Sequence, residues 1–207
     1  MMRNKGFTLI EIAIAIVIIG LLMAGVIKGT SLIEGAKVSN AITLAQDLSV
    51  AVNAFKQQYH LLPGDMLVTS EFPTLRTECL TGAKKGNNNG IIDANESQCI
   101  PEVLFLAGLA KVDRDSGVPV FKSYYGSANV IATSLSNVVV NNGSNKFLAS
   151  VIHVIEFANL PCDIVQQIDR KIDNDDLATG KAIAQGFTVP GTTCAAGSIV
   201  PFYAVAL

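Results

Sequence analysis

Residues 7–27 read FTLIEIAIAIVIIGLLMAGVI, an apolar run broken only by Thr8 and Glu11. About 20 helical residues suffice to cross a ~30 Å hydrocarbon core, and in lipid the backbone must satisfy its own hydrogen bonds, so the run predicts a membrane-spanning helix. Arg3 and Lys5 precede it with no acidic residue beside them, which by the positive-inside rule leaves this end cytoplasmic and sends the rest outward. A cleavable secretory signal shares the basic start, but its apolar part is about 7–15 residues and ends at small residues. Here the run is longer, carries a carboxylate near its start, and continues into helical periodicity.

Composition agrees. Hydrophobic residues make up 50% of the 207 residues and charged ones 15%, more apolar than an ordinary soluble domain. The length allows one domain plus an extension. A formal net charge of −2 argues against a nucleic-acid binder working through a general basic footprint. No GxSxG, HExxH, GxxxxGK[ST] or GxGxxG occurs, so hydrolase, zincin, P-loop and dinucleotide chemistries lack support and an enzyme is not expected.

Glu11 needs an explanation, because a lone carboxylate in hydrocarbon costs about 2.5–3.5 kcal/mol on insertion scales. A cation would stand one helical turn away if the chain were cut between Gly6 and Phe7, freeing an α-amine. The segment Lys5-Gly6-Phe7-Thr8-Leu9-Ile10-Glu11 resembles the processing site of type IV prepilins and type II secretion pseudopilins. That resemblance implies cleavage by a prepilin peptidase after Gly6 and N-methylation of Phe7. It further implies pairing of Glu11 with the Phe7 amine of a neighbouring subunit during filament assembly. Residues 1–6 would then be a leader.

Beyond Lys28, the residues Val38, Ala41, Ala45, Leu48, Val52, Phe55 and Tyr59 recur at spacings of three and four, an amphipathic stripe that predicts helix over 28–60 with one face on a core. The membrane half, 7–27, and this half together form the long helix of a pilin-like layout. Many type IVa pilins carry a Pro near the end of the membrane segment, whereas here none occurs before Pro63; this tilts the resemblance toward pseudopilins or minor pilins. Pro63-Gly64 ends the helix, and the preceding aromatic-rich end running into Pro-Gly-Asp resembles the same proteins.

Residues 61–207 are expected to form an extracytoplasmic head. Residues 66–99 read as loop, 101–112 as a short helix with Pro in its first turn, and 161–172 as a second. Runs 118–125, 130–140 and 147–157 read as strands of an antiparallel meander, with Asn141-Asn142-Gly143-Ser144 as a hairpin turn. The third run, apolar nearly throughout, suits a central strand. A polar loop and a last strand over 198–205 complete the chain. The expected fold is therefore α+β and type IV pilin-like: a long N-terminal helix on a small antiparallel sheet, two short helices, and disulfide-closed loops. His153 and His60 read as structural, since neither has a second His nearby.

The chain holds four Cys, and a head outside the cytoplasmic membrane meets an oxidising compartment. Four Cys allow three connectivities; sequential pairing, Cys79 with Cys99 and Cys162 with Cys194, closes two loops that lack a clear core. The second pair would bound a C-terminal loop like the disulfide-bounded region of type IV pilins. No CxxC spacing supports zinc. Two oxygen-rich segments are calcium candidates: Asn87, Asn89, Asp93, Asn95 and Glu96 in one, and Asp173, Asn174, Asp175 and Asp176 in the other. Neither matches an EF-hand, solvated turns explain both, and no cofactor is otherwise implied.

The expected function is that of a pilin or minor pilin in a type IV pilus-like filament. It would partner with itself or related pilins, the prepilin peptidase and an inner-membrane assembly platform, first in the inner membrane with its head periplasmic and then in an extracellular pilus or periplasmic pseudopilus. A type II secretion pseudopilin is the alternative, and a filament-tip module binding DNA, a surface or a secreted substrate is a further one. Lys84, Lys85, Lys111, Arg114 and Lys122 are too scattered in sequence to define a basic groove.

Overall fold

The computed structural model describes residues 8–66, 72, 74–115, 117–143, 147–195 and 197–207. By its internal contacts the chain divides into two compact units, Met1–Val38 and Ser39–Leu207.

In the first unit, helix α1 begins at Leu9 and continues unbroken to Tyr59 in the second. Its apolar start is long enough to cross a membrane, and Leu9, Ile12, Ile16, Ile19, Leu22 and Ile27 all stand exposed on the isolated chain. With apolar side chains on every side and no amphipathic face, this part of the helix is stabilised by lipid or by other helices.

In the second unit, the stripe is buried where the spacing places it. Ala41, Ala45, Leu48, Val52 and Phe55 lie in the core, while Asn53, Lys56 and Gln57 face outward. Phe55 stacks on Phe72, and Tyr59 packs tilted against both rings in an aromatic cluster. The helix stops at Tyr59 because His60 adopts a left-handed conformation, with φ 56°, and Pro63 cannot resume it.

Among the described residues the head contains β1 Phe121–Lys122, β2 Ser127–Ala132, β3 His153–Pro161, β4 Ala182–Ala184 and β5 Ile199–Ala206. They form one antiparallel sheet of order β1-β2-β3-β5-β4. The central strand is β3, with Val130 opposite Ile155 and Phe157 opposite Tyr203. Residues 153–157 are buried without alternation, as a strand covered on both faces requires. The short helices are α2 Thr77–Leu80, α3 Ile100–Leu106, α4 Asn137–Asn142 and α5 Cys162–Ile172, of which α4 and α5 pack on the sheet. On one face Ile131, Val154, Ile183 and Ala204 pack with Val138 of α4 and Phe147. On the other, Tyr203 reaches Asp169 of α5.

The structure corrects several local expectations. The run 130–140 is a strand only as far as Ala132; a 3-10 turn, Thr133–Leu135, and α4 follow. The Ser136 side chain accepts the Val138 N–H at the start of α4, and Gly143, with φ 69°, closes its end, so three consecutive valines are helical against their β preference. Asn141 and Asn142 accordingly end a helix instead of turning a hairpin, and Ser144 lies outside the described residues. Residues 147–152 precede β3, which begins at His153. The first run contributes only Phe121–Lys122 and a bridge between Asp113 and Val120. The helix over 101–112 is shorter, Ile100–Leu106. Within the expected polar loop lies a buried edge strand, β4.

Two disulfides close the loops. Cys79–Cys99, with Cα atoms 5.8 Å apart, joins α2 to the turn before α3. Cys162–Cys194, 5.5 Å apart, ties the start of α5 to the loop that precedes β5.

Candidate functional site

Gly6 and Phe7 lie outside the described residues, so the site is described from Thr8 onward. The first N–H groups of a helix have no partner within it. Here Thr8 stands at the N-cap of α1 and Glu11 three residues on. The Glu11 carboxylate accepts the Thr8 backbone N–H at 2.7 Å and the Thr8 hydroxyl at 2.8 Å, and the Glu11 N–H points back at Thr8 Oγ1 at 3.4 Å. This is a capping box. The carboxylate thus sits at the positive end of the helix dipole, where an anion is favoured, and is exposed to whatever approaches that end. The Thr-x-x-Glu spacing was available in the sequence as a helix start, independently of any processing motif.

The first oxygen-rich loop is folded on itself around two buried carboxylates. Asp65, which follows Pro63-Gly64, accepts the N–H groups of Asn89 at 3.0 Å and Gly90 at 2.7 Å. Glu96 accepts those of Asn87 at 3.2 Å and Asp93 at 2.9 Å. Asn87 and Asn89 turn their side-chain oxygens onto the N–H groups two residues ahead, and Asn95 is exposed at the rim. Burial pushes the Glu96 carboxyl up, helped by the Asp65 and Asp93 charges and opposed by its two amide donors. The sequence offers Asn87, Asn89, Asp93, Asn95 and Glu96 as calcium candidates within a solvated turn and does not single out Asp65. The structure has Asp65 as the hub of the loop and Asn87 and Asn89 as turn formers.

The second acidic segment follows the same logic. Asp173 accepts the backbone N–H groups of Lys181 and Ala182 with one oxygen, Asp175 pairs with Arg170 at 3.1 Å, and Asp176 caps Ala178 and Thr179. Calcium needs several oxygens left free to converge. Asp65, Glu96, Asp173, Asp175 and Asp176 are engaged in this way with backbone amides, a hydroxyl or a guanidinium, and among the described residues no three His, Cys, Asp or Glu side chains are grouped to hold a metal.

Further buried titratable groups carry no motif in the sequence. Asp169 is fully buried, accepts the Tyr203 hydroxyl at 3.2 Å on Oδ1, and has no hydrogen-bond partner on Oδ2. Burial pushes it up to about 6, with Tyr203 pulling the other way, while Tyr203 itself is driven well above its usual range by burial and by Asp169. Asp169 falls on the apolar stripe of α5 beside Ile168, the one sequence signal that could have marked it. Glu156, on β3, accepts Ser136 Oγ at 2.7 Å and Asn137 Nδ2 at 2.8 Å and so fastens the start of α4. Asp169 lies on α5 and Glu156 on β3, each engaged with its own partners.

Residues 1–27 match the family described as the prokaryotic N-terminal methylation motif. They carry the motif of type IV pilin and pseudopilin precursors, placed on the apolar end of a helix that is itself long enough to cross a membrane. No curated protein and no solved structure gives a significant match.

Proposed function

We propose that this chain is a structural subunit, a pilin or minor pilin, of a type IV pilus-like filament. The observation that carries the reading is the continuity of the methylation motif over 1–27 with one unbroken helix, Leu9–Tyr59, whose apolar half is exposed on the monomer. Such a helix is satisfied first by lipid and then by the same helices of other subunits. Prepilin peptidase cuts after Gly6, Phe7 becomes the methylated N-terminus, and an inner-membrane platform moves the subunit from bilayer to polymer. Glu11 supplies the selectivity. A carboxylate at that depth is costly alone and is neutralised when a neighbour's Phe7 amine arrives, so the correct axial register is favoured over others. The head contributes surface chemistry and no reaction.

The absence of Pro before Pro63, with an α1 that runs without interruption, favours a second reading: a pseudopilin of a type II secretion system. Shearing cells and sedimenting the supernatant separates the two. A subunit of a surface pilus sediments in the sheared fraction, whereas a pseudopilin stays with the envelope and its deletion blocks export of secreted enzymes. A chain found in neither polymer, with neither phenotype on deletion, overturns both.

A further inference from the structure

Two of the exposed apolar features outside the membrane run and the head core are complementary in shape and charge. One is a groove of about 520 Å³ between α1 and the loop after α3, floored by Leu44, Leu48, Phe105 and Leu109; Phe105 at its edge is 39% exposed. The groove is charged on both walls: Asp47 on the helix side and Lys111 on the loop side, with the Arg114 guanidinium 4.9 Å above the Phe105 ring. Among the described residues neither Asp47 nor Lys111 forms an ion pair. The other feature is a ridge on α1 past the apolar run, where Leu32 and Ile33 are 74% and 57% exposed. It lies between a cation, Lys28, and an anion, Glu34.

We propose that the groove is the seat for the Leu32–Ile33 ridge of a second copy of this chain. Each surface has what the other lacks. The ridge offers two aliphatic side chains to an aliphatic and aromatic floor, Glu34 meets Lys111 and the Arg114 beside it, and Lys28 meets Asp47. Opposite charges placed this way set register and exclude misaligned partners, because a shifted register brings like charges together. Ridge and groove wall lie on one helix, so the ridge that fills the groove comes from another molecule. The contact is also heterologous, joining two different patches; repeated from copy to copy it makes an open helical polymer and not a closed dimer. The proposal rests on the filament reading and adds to it the head surface that fixes subunit register.

The test uses the full processed chain in its own membrane. Lys111→Glu and Glu34→Lys should each lower the amount of sheared polymer about tenfold or more, with the level of membrane-held mature subunit unchanged, and the double variant should restore polymer to near the wild-type amount. Independently, benzoylphenylalanine in place of Phe105 should cross-link, in wild-type polymer, to a peptide containing residues 28–34 of another copy. Polymer that is indifferent to both single charge reversals, a double variant no better than either, or cross-links confined to other segments overturns the groove proposal while leaving the filament reading intact. Wild-type chains that form no polymer at all overturn the filament reading and this contact with it.

Discussion

The Ile92 backbone N–H donates to His153 Nε2 at 3.2 Å, and the Ile92 carbonyl accepts the Ala132 N–H at 3.0 Å. One loop residue is thereby fastened to two neighbouring strands of the sheet, and the whole Asn-rich loop with it. The bond requires a histidine that accepts at Nε2, which only the neutral ring can do.

Acid should therefore loosen this loop. Burial, helped by the Lys56 charge and opposed by Asp65, holds His153 below the usual histidine range. A depressed histidine means that the unfolded chain binds the proton more readily, so the contribution is present above about pH 6.5 and is lost as pH falls through the folded value. The protection of the Ile92 amide against hydrogen exchange, corrected for the intrinsic pH dependence of exchange, should fall on acidification over that range, and a His153→Gln variant should lose this pH dependence. An Ile92 amide that stays equally protected from pH 7 to pH 4.5 would contradict the role given to His153.

Asp169 works with the opposite sign. Its carboxyl is raised to about 6 in the fold from an ordinary 3.8, so ionising it costs stability; the cost is absent below about pH 4 and complete above about pH 6, amounting to about 3 kcal/mol over that span. Whatever offset the amide itself introduces, Asp169→Asn should gain on the wild type as pH rises from 4 to 7. Melting curves at several pH values read this directly, and a constant difference between the two proteins would refute it.

Gly86 is the one position in the Asn-rich loop where a side chain has no room, because a Cβ there would run into the backbone of Asp65 and Met66. Neither of those can move without breaking the Asp65 bonds to Asn89 and Gly90. Gly86→Ala should lower head stability by about 2–4 kcal/mol, seen as a lower melting temperature. By comparison, Gly82→Ala, with nothing near its Cβ, meets only the strain of its left-handed backbone and should cost less.

The disulfides should rank by the loops they close. Cys162–Cys194 spans 32 residues and Cys79–Cys99 spans 20, and by chain entropy each contributes about 3–4 kcal/mol, the longer loop slightly more. Replacing either pair with serines and measuring denaturant unfolding of the full chain in detergent checks both size and order.

Long-range features of the head were the least legible ones. The helix to Tyr59 was readable because Ala41 to Phe55 repeat at helical spacing over several turns, and α5 because Ile164, Ile168 and Ile172 do the same behind Pro161. By contrast α4 looked like a strand and a hairpin: Val138 to Val140 prefer extended backbone, and Asn-Asn-Gly is turn chemistry. What decides for helix there is Glu156, distant in sequence, which holds Ser136 and Asn137. Asn142 then accepts the Gly186 N–H and donates to Ala184, steadying an edge strand too short to show a period. At the candidate site the motif residues were legible from type and spacing, whereas the true hubs of the polar loops, Asp65 and Asp173, are defined by which backbone N–H groups fold back to meet them.

The most direct test of the account is mass spectrometry of the N-terminal peptide from protein taken from its native membrane. A mature chain that begins at N-methylated Phe7 is the predicted result. A chain that still begins at Met1, or one cut after the apolar run at 7–27, would contradict it.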